Sequence, residues 1–231
     1  SSLEGVYEAL NLEDAIGFLQ NGENTIAVEV HQADAASSDI SFDTDLISTN
    51  TDGMEATLVA RHALWIYDDT GVDRGPSDQD PDLAWFGPQF DDSNWDAGPA
   101  ELGYGDSDGT TRFPTTVSFG PQIDNKFITT YFRRQFEIDA ETIASLESLT
   151  LTLRRDDGAI VYLNGKEVVR DNIDEGDVDA LTLAITGSGS AITTNWTISK
   201  DDVIPGLNTI AVEIHQQAPT SSDLFFDLRL T

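Results

Sequence analysis

A 25-residue segment near the start of the chain returns at its end. Residues 22–46, GENTIAVEVHQADAASSDISFDTDL, align without a gap on residues 206–230, GLNTIAVEIHQQAPTSSDLFFDLRL, and 15 of the 25 positions are identical. The offset of 184 residues exceeds any solenoid period and suits one whole domain. Residues 1–46 therefore read as the closing strand pair of an upstream copy, residues 47–56 (ISTNTDGMEA) as a linker, and residues 57–231 as a complete domain.

The duplication poses a packing problem. In a strand, Ile210, Val212 and Ile214 face one way, while Ala211, Glu213 and His215 face the other. The first copy carries the same stripe in Ile26, Val28, Val30, Ile40 and Phe42, and burying each such side chain is worth about 1.5–3 kcal/mol. The stripe can pack on its own domain, enter a neighbour's sheet by strand addition, or belong to an upstream domain. Exchange that does not close on itself builds a filament. Ser41, Thr44 and Asp45 stand where the second copy has Phe225, Leu228 and Arg229, so the C-terminal copy is expected to win its own slot.

Forty-two acidic residues against 12 basic ones give a formal charge of −30. The acids are scattered through apolar segments, and 39% hydrophobic residues, with 4 Trp and 11 Phe, mark a globular chain. Such charge opposes compaction, and salt relieves it because the Debye length falls from about 10 Å at 0.1 M to about 3 Å at 1 M. A marine or halophilic origin fits. Dispersed Lys and Arg cannot build the basic stripe that nucleic acid requires, whereas divalent cations are natural partners. The absence of Cys excludes disulfides and thiolate chemistry. No apolar run reaches the about 18–20 residues that would insert into a membrane. A start at Ser1 without a leader reads as a processed chain or an excerpt from a longer one.

Strand patterns rich in β-branched and aromatic residues cover 56–69, 127–138, 149–157, 158–170, 181–186, 191–198, 208–216 and 223–230. Residues 140–149 add a short helical turn. Asn164-Gly165 tolerates the positive φ angles of a type I′ turn and predicts a hairpin. Residues 70–121, dense in Gly, Pro, Asp and Ser, read as one long loop region, which in a compact domain is functional or internally packed. The expected class is all-β, a jelly-roll β-sandwich preceded by a β segment duplicated from its own C-terminal strands.

The segments YFRRQFEI (131–138), LRRDDGAIVYLNGKEVVR (153–170) and LNTIAVEIHQ (207–216) resemble the galactose-binding-like jelly-roll superfamily of carbohydrate-binding modules and accessory domains in secreted bacterial proteins. That resemblance implies an extracellular or cell-surface setting and polysaccharide or glycan as partner. In calcium-dependent lectins that the hairpin resembles, neighbouring aspartates hold the metal, which would make Asp156 and Asp157 ligands. Asp-Asp-Gly is also an ordinary turn between strands.

Asp78, Asp80 and Asp82 alternate in one loop, and Asp106 and Asp108 follow Tyr104 in a second. Carboxylates spaced this way can converge on calcium, which takes six to eight oxygens with loose geometry, although Asp also favours turns for its own side-chain bonds. Trp85, Trp95, Tyr104 and Phe113 offer rigid faces for stacking on sugar rings or, alternatively, small cores for the long loops. Glu29–His31 and Glu213–His215 hold matching places in the two copies; two ligands fall short of a zinc site, and a hydrogen-bonded pair is the simpler reading. The chain has three His and lacks HExxH, Gly-x-Ser-x-Gly and P-loop motifs. The expectation is a non-catalytic extracellular binding module, carbohydrate-binding and calcium-dependent. Its rival is a structural repeat of a stalk or filament that self-associates through residues 22–46.

Strand exchange predicts a concentration-dependent mass in size-exclusion chromatography with light scattering, lost on deletion of residues 1–46. A monomer at every concentration, unaltered by the deletion, ends the exchange idea.

Overall fold

The computed structural model describes residues 27–29, 31, 57–75, 83–105 and 113–231. The chain divides into two units, Ser1–Ile47 and Ser48–Thr231. In the first, Ala27–Glu29 and His31 are exposed and outside any strand, and His31 Nε2 lies 3.2 Å from Glu29 Oε2. The remainder of residues 22–46 lies outside the described residues.

In the second unit, strands form where β-branched and aromatic residues alternate. They are β1 (Leu64–Asp68), β2 (Asp96–Pro99), β3 (Leu102–Tyr104), β4 (Thr115–Thr116), β5 (Thr129–Ile138), β6 (Leu149–Asp156), β7 (Gly158–Leu163), β8 (Lys166–Asp171), β9 (Ile192–Ile198), β10 (Gly206–His215) and β11 (Leu224–Leu230). One short helix, α1 (Ala140–Ser145), is capped by Asp139, whose carboxylate accepts from Thr142 N at 2.7 Å. The strands form two sheets, ordered β2-β1-β5-β10-β7-β8 and β4-β3-β11-β6-β9. Pairing is antiparallel except between β3 and β4. The chain changes sheet at each step from β5 to β6, β6 to β7, β8 to β9, β9 to β10 and β10 to β11. This is the all-β sandwich expected from the sequence.

The duplicated unit occupies the middle of both sheets. Strand β10 pairs along its whole length with β5, from Gly206 opposite Ile138 to His215 opposite Thr129, and on its other edge with β7. Strand β11 lies between β3 and β6. Alternation turns Ile210, Val212 and Ile214 of β10 and Leu224, Phe226, Leu228 and Leu230 of β11 into the shared core. There Phe226 stacks on Phe132 with centroids 4.3 Å apart and meets Trp65 edge-on at 4.8 Å.

Asn164 and Gly165 take φ of 51° and 83° in the β7–β8 turn, as the Asn-Gly signal requires. Two sequence expectations are corrected. Residues 181–186 form turns rather than a strand: Asp179 Oδ1 accepts from Leu181 N at 2.9 Å and Thr182 Oγ1 at 3.1 Å, and such local bonds compete with a ladder. Leu181, Leu183 and Ile185 are consequently exposed. The long loop region holds three short strands, β2, β3 and β4, whose few residues give too brief a pattern to read.

Phe226 joins both halves of the core and is fully buried. Phe226→Ala is expected to cost about 3–5 kcal/mol, measured as a lower urea midpoint with an unchanged slope.

Candidate functional site

The outer face of the six-stranded sheet is not left to solvent. Tyr131, Ile160, Tyr162 and Ala211 point outward from β5, β7 and β10 and form a second core with Trp85, Ile173 and Ala184 from the loops above. Arg133, fully buried on the same face, fastens the loop. Its guanidinium donates to the carbonyls of Trp85 and Gly87, and Nε donates to Asp92 Oδ2 at 2.8 Å. Five donors in a fixed fork suit such multiple anchoring.

A cleft of about 150 Å³ opens beside this anchored loop, near the sheet edge formed by β1 and β2, and is lined by Tyr67, Asp68, Asp69, Thr70, Arg74, Phe90, Asp91, Asn94, Trp95 and Asp96. Its floor is rigid. Asp68 is buried at the end of β1, accepts from Thr70 N at 3.0 Å and Thr70 Oγ1 at 2.6 Å, and takes Arg74 Nε at 2.5 Å on its other oxygen. Arg74 Cζ lies 5.5 Å from the Trp95 ring centroid, and Trp95 meets Phe90 edge-on at 5.5 Å. Asp69 accepts from Ser118 N at 2.5 Å, while burial, and then the charges of Asp96 and Asp68, push its carboxyl above the ordinary range. Burial and the charges of Asp69 and Asp96 likewise raise the Tyr67 phenol. Asp91 is held below the usual range by bonds from the Ser93 side chain and backbone. The cleft therefore combines a partly exposed indole, one guanidinium, one amide and several carboxylates.

Among the described residues singled out in the sequence, only Trp95 lines this cleft. Trp85 and Tyr104 are 3% and 4% exposed; both supply packing, and neither presents a free face. Trp85 sits edge-on to Phe86, Tyr131 and Tyr162. Phe113 packs edge-on against Phe225. Asp78, Asp80, Asp82, Asp106 and Asp108 lie outside the described residues. Sequence reading missed Asp68, Asp69, Arg74, Asn94 and Asp96. In so acidic a chain, single aspartates near turns carry no distinguishing signal.

Asp156 ends β6 and Asp157 is the single residue that passes from one sheet to the other. Asp157 Oδ1 accepts from Ser188 N at 2.7 Å, and Oδ2 accepts from Gln217 N at 2.9 Å and from Ser221 Oγ at 3.4 Å. A pair of oxygens that accept from N–H and O–H donors ties loops together and stabilises its own negative charge. Ser188 Oγ donates to Asp156 Oδ1 at 2.8 Å. Burial pushes the Asp156 carboxyl up to about 8, helped by its hydrogen bond to Asp157, which is lowered in turn. Gly158 completes the motif because a Cβ there would lie 2.7 Å from Ile173 Cδ1 and 2.9 Å from Asn172 O.

Glu213 and His215 are buried on the outer face of β10, with His215 Nε2 3.2 Å from Glu213 Oε2. Tyr162 donates to Glu213 Oε1 at 2.7 Å, and His215 Nδ1 lies 2.8 Å from the Thr182 carbonyl and 3.0 Å from Thr129 Oγ1. The pair is a structural bridge between sheet and loop.

No protein-family model and no curated protein matches the chain. Among solved structures it is similar to a family 2 glycosyl hydrolase from Bacteroides cellulosilyticus, with 17% identity, a TM-score of 0.43, and coverage of 74% of this chain and 20% of that one. A beta-glycosidase from Bacteroides vulgatus gives 12%, 0.43, 77% and 20%. Beta-glucuronidase 2 from Bacteroides uniformis gives 18%, 0.43, 73% and 17%. The chain thus spans a fifth or less of the length of these enzymes.

The Asp156 carboxyl sets a pH dependence. Folded, it keeps a proton up to about 8 that the unfolded chain releases near 3.8, so between these values the native state binds more protons and stability falls as pH rises. Asp157, shifted the other way, acts only below that window. Thermal melts by circular dichroism are expected to show a lower midpoint at pH 9 than at pH 6, with the difference reduced in Asp156→Asn.

Proposed function

We propose that the chain is a non-catalytic carbohydrate-binding module of the galactose-binding-like type, working outside the cell or at its surface, and that a sugar ring is held in the cleft against Trp95. The observation that carries this reading is the meeting of Trp95 with Arg74, Asn94, Asp69 and Asp96 around one opening. Sugars have an apolar ring face and a rim of hydroxyls. An indole covers the first, and carboxylates, which only accept, together with guanidinium and amide groups, which donate, match the second. The Asp68–Arg74 pair and the Arg133 anchor hold these groups in place before a ligand arrives, which limits the ordering cost of binding. Calcium belongs to the proposal through Asp78, Asp80 and Asp82, which follow Arg74 closely in the chain.

A second reading, a repeat module of a stalk or filament that assembles by β-strand exchange, is favoured by one observation. The segment repeated at 22–46 corresponds to β10 and β11, the central strands of the two sheets.

A glycan array followed by calorimetry, with and without calcium, tests the first reading. Binding of a defined glycan is expected, with Trp95→Ala weakening it at least about tenfold, or 1.4 kcal/mol, at a temperature where circular dichroism shows the variant folded. An array blank under both conditions, or affinity indifferent to Trp95, removes the carbohydrate proposal.

A further inference from the structure

On the opposite outer face of the sandwich, His62, Glu101 and Asp227 bring one ligand atom each within 4.8 Å of one another. Asp227 points outward from β11, since its neighbours Phe226 and Leu228 point into the core. Glu101 immediately precedes β3, the strand beside β11. His62 lies in the turn before β1, with φ of 59°, a left-handed conformation that His adopts more readily than most residues. Three segments distant in sequence thus converge on a point between the start of β1, β3 and β11.

The decisive feature is Asp227. Its side chain is 1% exposed. Oδ1 accepts from His62 N at 3.2 Å and Leu228 N at 2.9 Å, but Oδ2 has no partner. Buried carboxylates are hydrogen-bonded, paired with a cation or bound to a metal, because an uncompensated charge away from water is costly. Arg154, the cross-strand neighbour of Asp227, does not fill this role. It donates to Glu101 Oε1 at 2.7 Å, and its guanidinium lies 4.1 Å over the Phe225 ring.

We propose that His62, Glu101 and Asp227 form a zinc site. One imidazole and two carboxylates suit a borderline ion, and Zn²⁺ takes nitrogen at about 2.0–2.1 Å and carboxylate oxygen at about 2.0–2.2 Å, with water in the remaining position. Calcium and magnesium take oxygen donors instead. Arg154 serves as the outer partner that orients Glu101, leaving Oε2 for the ion. Asp227 is fixed, while the exposed His62 and half-buried Glu101 close onto the ion. Bound zinc clamps the approach to β1 and the start of β3 onto β11.

The test titrates the full chain with zinc in excess calcium, which occupies all-oxygen sites, and follows the histidine resonances by NMR. One zinc per chain is expected, with His62 moving and His215 unmoved. His62→Ala and Asp227→Asn are each expected to weaken binding at least tenfold, with circular dichroism checking that each variant is folded. No zinc binding in calcium, affinity unchanged in His62→Ala, or a shift at His31 or His215 instead would each overturn the proposal.

Discussion

Strands β10 and β11 are the pair on which the sandwich depends. They follow one another in sequence yet enter opposite sheets, each with a neighbour on both edges. Removing them would leave β5 and β7 without their shared partner in one sheet and β3 and β6 without theirs in the other. This position explains which residues the two copies of the repeat share. Asn208, Thr209, Glu213, His215, Gln216 and Asp227 are all buried, and all six have the same residue in the first copy. Asn208 illustrates the reason. Its amide donates to the carbonyls of Ile204 and Gly206, and its oxygen accepts from Ile204 N and Asn164 Nδ2. Replacing such a buried, multiply bonded amide is costly, because a substitute leaves its partners unsatisfied. Apolar neighbours drift more freely, as at Val30 and Ile214.

The scarcity of cations gives each one weight. Arg133 binds the loop of Trp85 and Asp92, Arg155 binds Asp171 and the Asp157 carbonyl, Arg74 binds Asp68, and Arg154 binds Glu101. Arg133 holds a long loop against an outer face, where a chain with a charge of −30 would otherwise repel itself, while Arg155 links the end of β6 to the end of β8 in the other sheet. Breaking the most buried of these pairs, Arg155–Asp171, from one side is expected to cost about 3–5 kcal/mol because the other charge is left alone. The cleft beside Trp95 and the His62–Glu101–Asp227 cluster both sit beside one of these anchors, Arg74 in the first and Arg154 in the second.

Much of the architecture was legible beforehand. Alternating β-branched residues marked the longer strands, and Asn164-Gly165 marked its turn. The candidate cleft was legible only through Trp95. Its other walls come from aspartates, an arginine and an asparagine with no spacing that distinguishes them from ordinary turn residues. Of the two readings open for Trp85 and Tyr104, stacking platform or small core for the long loops, their burial fits the second, and an aromatic residue in a loop-like stretch does not say onto which strands the stretch folds.

By itself the sequence determined that the chain would be a β-sandwich and where its best hairpin would turn, since these follow from periodicity and local backbone preference, and it shows that the segment forming β10 and β11 is repeated at 22–46. Only the tertiary structure decided that this pair runs through the middle of both sheets, that Asp157 accepts from the loops around it, and that Asp227 is buried with one oxygen unpartnered beside His62 and Glu101. Which side chains meet depends on strand order and on the crossings between sheets. Neither is written in the spacing of residues along the chain.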